Sequence, residues 1–161
     1  MNAAARALIV KLGLEPLPGE GGFFRQTWRS GTASSIYFLL TAEQFSALHR
    51  IEQDELWHFY AGDPVEHVQC ERGGGRFQAV RLGPAVLAGD VSQVLVPAGV
   101  WQGARLAVVP GAATVLELHG WALVGCTVSP PWNERGFSLA FRAELVRAFP
   151  ADAALIHGLT R

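Results

Sequence analysis

From Phe23 to Val128 the chain is divided into short apolar and β-branched runs bounded by turn residues. Their spacing predicts ten strands, at 23–29, 34–40, 46–51, 55–61, 64–70, 76–82, 93–97, 101–108, 113–119 and 121–128. That many strands at such close intervals fold as a sandwich or a barrel. The ends of the chain read differently. Residues 3–12 place Leu8, Ile9 and Leu12 on one side of a short helix, with Gly13 as its stop. After Ser129-Pro130-Pro131 the period changes: Leu139, Arg142, Leu145, Val146 and Phe149 fall at helical spacing between Ser138 and Pro150, which predicts a second helix of about 11 residues. Between the first helix and the first strand, Glu15 to Gly22 is too rich in Pro and Gly for regular structure. Gly73-Gly74-Gly75 lies between two strands and precedes no helix, so it reads as a hairpin loop and not a phosphate cradle.

At 161 residues, half of them apolar and 17% charged, the chain suits one domain spanning 1–161. The formal net charge of −1, with both signs interspersed, lacks the basic footprint of a nucleic-acid binder. The expected partner is a small molecule held in a barrel, or another protein chain. Cys70 and Cys126 both sit inside apolar runs and read as reduced, buried thiols. The N-terminal Ala-Leu-Ile-Val run is too short to span a bilayer, so no membrane partner is expected and the location expected is cytoplasmic.

Two stretches carry the strongest signal. His49-Arg50-Ile51-Glu52-Gln53-Asp54-Glu55 runs on to Gly62, and Gly89-Asp90 is followed by Val96-Pro97-Ala98-Gly99-Val100-Trp101-Gln102. Together they resemble the two motifs of the cupin superfamily: His-x-His, three or four residues, Glu, six residues, Gly; then Pro-x-Gly, two residues, His. Glu55 and Gly62 fit the first interval, and Pro97 and Gly99 fit the second. His49 holds the first His position, but Ile51 stands in place of the second and Gln102 in place of the last. The runs Gly21–Thr27, Asp54–Gly62, Val96–Gln102 and Leu123–Val128 are similar to the cupin_5 group (DUF985) over nearly the whole chain. That resemblance implies an all-β cupin jelly-roll barrel related to the deoxysugar epimerases, with short terminal helices and no agreed reaction. Cupins of this branch commonly pair through their sheets, and a homodimer is expected.

Strand parity then sorts the side chains. With Glu55 facing the lumen, as the resemblance implies, Trp57 and Phe59 share its face, and His58 and Tyr60 take the other. His58 therefore reads as a packed or interface histidine. His49 and Glu55 are the candidate catalytic pair, since an imidazole held by a carboxylate is suited to moving protons at neutral pH. Gln102, Trp57, Phe59, Trp101, Tyr37 and Arg25 are candidate substrate contacts. The aromatics would form apolar walls, and Arg25 would offer a fork to a carboxylate or phosphate unless it is an ordinary surface arginine. One imidazole, one carboxylate and an amide oxygen make a poor transition-metal set, so no metal and no cofactor are expected. Three readings stay open: an isomerase or epimerase working on a sugar-like or other polar anionic metabolite, a metal-dependent cupin with His119 or another group completing the ligands, and a binding or sensing module without turnover. The epimerases pair a His base with a Tyr acid, and Tyr37 and Tyr60 are the two tyrosines of this chain.

Overall fold

The computed structural model describes residues 1–71, 73, 75–107 and 118–161. Helix α1 (Ala3–Leu12) is capped by the Asn2 side chain, which accepts from the Ala5 amide, and is stopped by Gly13 in the left-handed region. Among the described residues eleven strands follow: β1 (Glu15–Pro16), β2 (Phe23–Arg29), β3 (Ser34–Thr41), β4 (Ser46–Ile51), β5 (Asp54–Gly62), β6 (Val65–Cys70), β7 (Phe77–Leu82), β8 (Gln93–Val96), β9 (Gln102–Leu106), β10 (Trp121–Ser129) and β11 (Phe137–Leu139). They form two antiparallel sheets, in the orders β1-β2-β3-β10-β5-β8 and β11-β4-β9-β6-β7. Helices α2 (Arg142–Ala148) and α3 (Ala153–Gly158) close the chain. The architecture is the all-β cupin sandwich with short terminal helices.

Nine of the expected strands recur within one or two residues of their sequence boundaries. The segment 113–119 falls largely outside the described residues; Leu118 and His119, which are described, are not in a strand. Two strands escape the sequence pattern because they are too short for periodicity to register. Glu15 and Pro16 pair with Phe24 and Phe23, and Phe137–Leu139 pairs with Ile51–His49. That second pairing corrects the expected C-terminal helix: Leu139 is claimed by the sheet edge, so α2 starts only at Arg142 and ends at Ala148, before Pro150.

Two apolar clusters divide the interior. Phe38, Leu40, Trp57, Val94, Val124 and their neighbours fill the space between the sheets. On the far side of the second sheet, Leu48, Val68, Cys70 and Phe77 are covered by Leu145, Ile156 and Leu159 from the C-terminal helices. The helices are tied down by backbone bonds from the Leu48 amide to the Leu159 carbonyl and from the Ala140 amide to the Leu48 carbonyl. The second sheet is thus covered on both faces, which is why every residue of β4 except Arg50 is buried.

Two motif glycines are needed for geometry. Gly62 has φ +97°, and a Cβ there would lie 2.3 Å from the Trp121 carbonyl oxygen. Gly99, at φ +77°, turns the chain so that its amide reaches the Ile51 carbonyl (2.7 Å) while Ala98 donates to Asp54 (2.8 Å). The Pro-x-Gly turn is thereby pinned to the β4–β5 turn. Among the described residues no helix is long and apolar enough to cross a membrane.

Trp57 has the largest side chain of the fully buried set, 1% exposed. Trp57→Ala is expected to lower the free energy of unfolding by about 3–5 kcal/mol in urea titration. A loss below 1 kcal/mol would mean that this ring does not hold the sheets together.

Candidate functional site

A cavity of about 410 Å³ opens between the two sheets. Its walls are apolar, with Phe24, Ile36 and Phe38 from the first sheet and Phe137 from the edge of the second. Its polar groups are Glu20, Ser34, His49, Glu55, Cys126 and, on its exposed side, Gln26 and Glu134. His49 and Ile51 alternate inward on β4, and Glu55 and Trp57 alternate inward on β5, as the two-residue period demands.

His49 is 3% exposed and lies over Phe137, ring centroids 5.5 Å apart. Its Nδ1 is 2.8 Å from the Ala47 carbonyl oxygen. A carbonyl only accepts, so Nδ1 carries the hydrogen, and in the neutral ring Nε2 keeps its lone pair. Glu20 stands 3.8 Å from the same Nδ1 and accepts from Ser46 Oγ at 2.7 Å. Glu55 is buried, and burial pushes its carboxyl above the usual carboxylate range; the charges of His49 (downward) and Glu20 (upward) act on it in turn. Burial, then the Glu55 and Glu20 carboxylates, drive the Cys126 thiol well above its ordinary value, so it stays protonated and inert.

Behind Glu55 lies a second layer. Gln102 donates its amide N–H to Glu55 Oε2, while its carbonyl oxygen accepts from Trp57 Nε1 at 3.0 Å. His67 Nε2 is 3.2 Å from that same oxygen, so it is the protonated nitrogen, and Nδ1 is buried without a partner among the described residues. Gln102 is also the cross-strand partner of His49. Burial pushes the His67 ring down to about 4.

Of the residues singled out from the sequence, His49, Glu55 and Trp57 meet in the cavity, and Gln102 is bonded to Glu55 from behind. Phe59 packs into the inter-sheet core beyond the cavity wall. Trp101 lies on the far face of the second sheet, beneath the Arg50 guanidinium at 4.7 Å. Arg25 and Tyr37 are cross-strand partners on the outer face of the first sheet, the guanidinium 5.6 Å from the ring centroid. The cause is parity: Phe24 and Gln26 point in, which turns Arg25 out. His58 also faces out, within hydrogen-bond distance of Gln93 and Thr127. Glu20 and His67 escaped the sequence reading. Glu20 sits in the Gly-Pro loop, where no periodicity assigns a face, and His67 was one polar residue in an otherwise ordinary strand.

The donor set does not suit a transition metal. Ile51 supplies no ligand, and both ends of the Gln102 amide are engaged with Glu55, Trp57 and His67. Among the described residues no three His, Cys, Asp or Glu side chains converge as ligands. Elemental analysis of protein purified without chelator or metal resin is expected to find less than one equivalent of manganese, iron, nickel or zinc per chain; a full equivalent would contradict this reading. A further expectation concerns acid. His67 is held at about 4 against an unfolded value near 6.5, so the unfolded chain takes up its proton first. Stability is therefore unaffected by His67 above pH 6.5 and falls between there and about 4, by on the order of 3 kcal/mol. In His67→Gln the midpoint of urea unfolding should lose most of that slope; an unchanged slope would assign it to other groups.

The family Cupin_5, described as cupin superfamily (DUF985), matches residues 6–140. A hypothetical protein from Leishmania major has a similar structure at 29% identity and TM-score 0.86, covering 97% of this chain and 98% of its own. A protein from Shewanella oneidensis is 33% identical at TM-score 0.85, over 100% of this chain and 98% of its own. Oxalate decarboxylase from Bacillus subtilis shares the fold alone, at 13% identity and TM-score 0.58, over 91% of this chain and 37% of its length. No curated protein matches the chain. With the family matched from α1 through β11 and the two sheets in place, the chain belongs to the Cupin_5 (DUF985) family of the cupin superfamily.

Proposed function

We propose that this cupin binds a small organic molecule between its sheets and moves a proton on it, as an isomerase or epimerase does. The observation that carries the reading is the pairing of an oriented base with a buried acid in one cavity. His49 donates through Nδ1 to Ala47 and so presents Nε2 as an acceptor, while burial favours the protonated form of Glu55.

The chemistry available to this pair balances without any co-reactant. His49 Nε2 takes the proton from a carbon next to a carbonyl. The electron pair left behind moves into the carbonyl, and the resulting oxyanion receives a proton from Glu55. To give an epimer, the enol O–H returns its proton to Glu55 while solvent water protonates the carbon from the opposite face, and His49 passes its proton to the hydroxide left. To give an isomer, in a hydroxy carbonyl compound, His49 protonates the former carbonyl carbon and Glu55 regains its proton from the neighbouring hydroxyl. A kinship with the deoxysugar epimerases supports the fold of this reading more than its residues. Those enzymes use a His–Tyr pair, whereas Tyr37 and Tyr60 here stack edge to face, 6.1 Å apart, on the outer face of the first sheet. Glu55 takes the acid role instead. The anionic substrate expected from Arg25 loses its support with Arg25 outside, and the apolar walls favour a ligand with an apolar body and a polar head that donates hydrogen bonds.

Solvent exchange tests the proposal without knowledge of the natural substrate. Incubated in D₂O with a panel of small carbonyl compounds, the wild type should place deuterium at the carbon next to the carbonyl of those that bind. His49→Gln and Glu55→Gln should each slow this by about 10²–10⁴-fold. Ligands that bind with no exchange in the wild type would leave a binding module and end the catalytic reading.

A further inference from the structure

Three carboxyls line the cavity, on Glu20, Glu55 and Glu134, and its described lining contains no Lys or Arg. The Arg161 guanidinium, outside the lining, bonds the backbone carbonyls of Glu20 (3.3 Å) and Phe45 (3.0 Å). Within the described lining His49 is the one side chain able to carry a positive charge. A carboxylate in an apolar interior is costly unless a cation or hydrogen-bond donors meet it.

Acceptor capacity is left over as well. Glu20 and His49 are each more than nine-tenths buried. Among the described residues Glu20 Oε1 accepts from Ser46 and Oε2 from no side chain, and His49 bonds through Nδ1 while Nε2 has no partner. Around these acceptors stand the π faces and edges of Phe24, Phe38, Trp57 and Phe137, with Trp132 at the mouth. Aromatic rings beside a group of carboxyls that no Lys or Arg of the described lining meets form a setting that favours a positive charge twice over, through Coulomb attraction and through the ring quadrupoles.

We propose that the ligand of this cavity carries a small organic ammonium, one positive charge on an apolar body, with its N–H groups on Glu20 and its body against the aromatic walls. This assignment rests on the cavity being a ligand site, as proposed above, and adds the chemical class. It also fits the volume, since about 410 Å³ holds a molecule of some ten or more heavy atoms.

Three probes of one shape separate charge from fit: benzylamine, benzyl alcohol and benzoate, each titrated at millimolar concentration near neutral pH. The readout is the Trp57 indole N–H resonance, assigned with Trp57→Phe. Benzylammonium should bind at least about tenfold more tightly than the alcohol, and benzoate should not bind. In Glu20→Gln, which retains an acceptor for Ser46, the preference for the amine over the alcohol should shrink by about tenfold. Equal or tighter binding of the alcohol or of benzoate overturns the ammonium assignment and leaves the cavity a ligand site. Silence from all three probes in the wild type overturns both.

Discussion

One buried side-chain amide joins the two sheets. Gln102 belongs to β9 of the second sheet, yet its N–H reaches Glu55 and its oxygen receives Trp57, both on β5 of the first; His67 on β6 completes the set. With two acceptor lone pairs and two donors, an amide can bridge in this way, whereas an apolar residue of similar size would leave the indole N–H, the imidazole N–H and a carboxylate oxygen unmet. Each such orphan costs about 1–3 kcal/mol when buried. The family resemblance places a metal-binding His at this position. Here the same position carries a hydrogen-bond bridge, and the first-sheet wall of the cavity is held in place by it.

That bridge also decides which chemistry Glu55 can do. Because the Gln102 oxygen is occupied by two N–H donors, its nitrogen must face Glu55, and one carboxyl oxygen is committed to the wall. The other is left to the Cys126 thiol and to a ligand in the cavity. His49 is constrained by a parallel logic from the opposite sheet, with Nδ1 tied to the Ala47 carbonyl and the ring lying over Phe137. Both groups are thus fixed by neighbours that do not titrate near neutral pH, which is what the proposed proton transfer requires for the geometry to survive a change of charge. His67 has a different part. Its ring is neutral down to about pH 4, so it holds the Gln102 amide in one orientation across the physiological range.

Most of the fold was legible in the chain because strand runs and turn residues alternate cleanly between Phe23 and Val128. The site was legible where the motif intervals applied: His49, Glu55 and Gln102 do meet, since the β4–β5 turn and the Pro-x-Gly turn are pinned to each other by Asp54 and Gly99. It was not legible for Arg25 and Trp101, whose residue types suggest ligand contact while their parity turns them away. Nor could local pattern find Glu20. Its position follows from a tertiary contact, the Ala47 amide bonding the Glu20 carbonyl at 2.9 Å, which folds an irregular loop over the mouth of the sandwich.

The outer face of the first sheet shows how one strand period separates two sets of apparently catalytic residues. Along β5, Glu55, Trp57 and Phe59 point in, and His58 and Tyr60 point out. The register against β10 slips after Phe59, so that Val124 faces Phe59 and Leu123 faces Ala61, and Tyr60 becomes the extra residue of a bulge. Its ring then lies across Gly125, where a Cβ would come within 2.2 Å of the Tyr60 hydroxyl. Gly125 therefore makes room on the outside for a tyrosine that the inside lacks. The consequence for the proposed proton transfer is chemical: with both tyrosines turned out no phenol can serve as its acid, and the proposal gives that role to Glu55, whose protonated form burial favours.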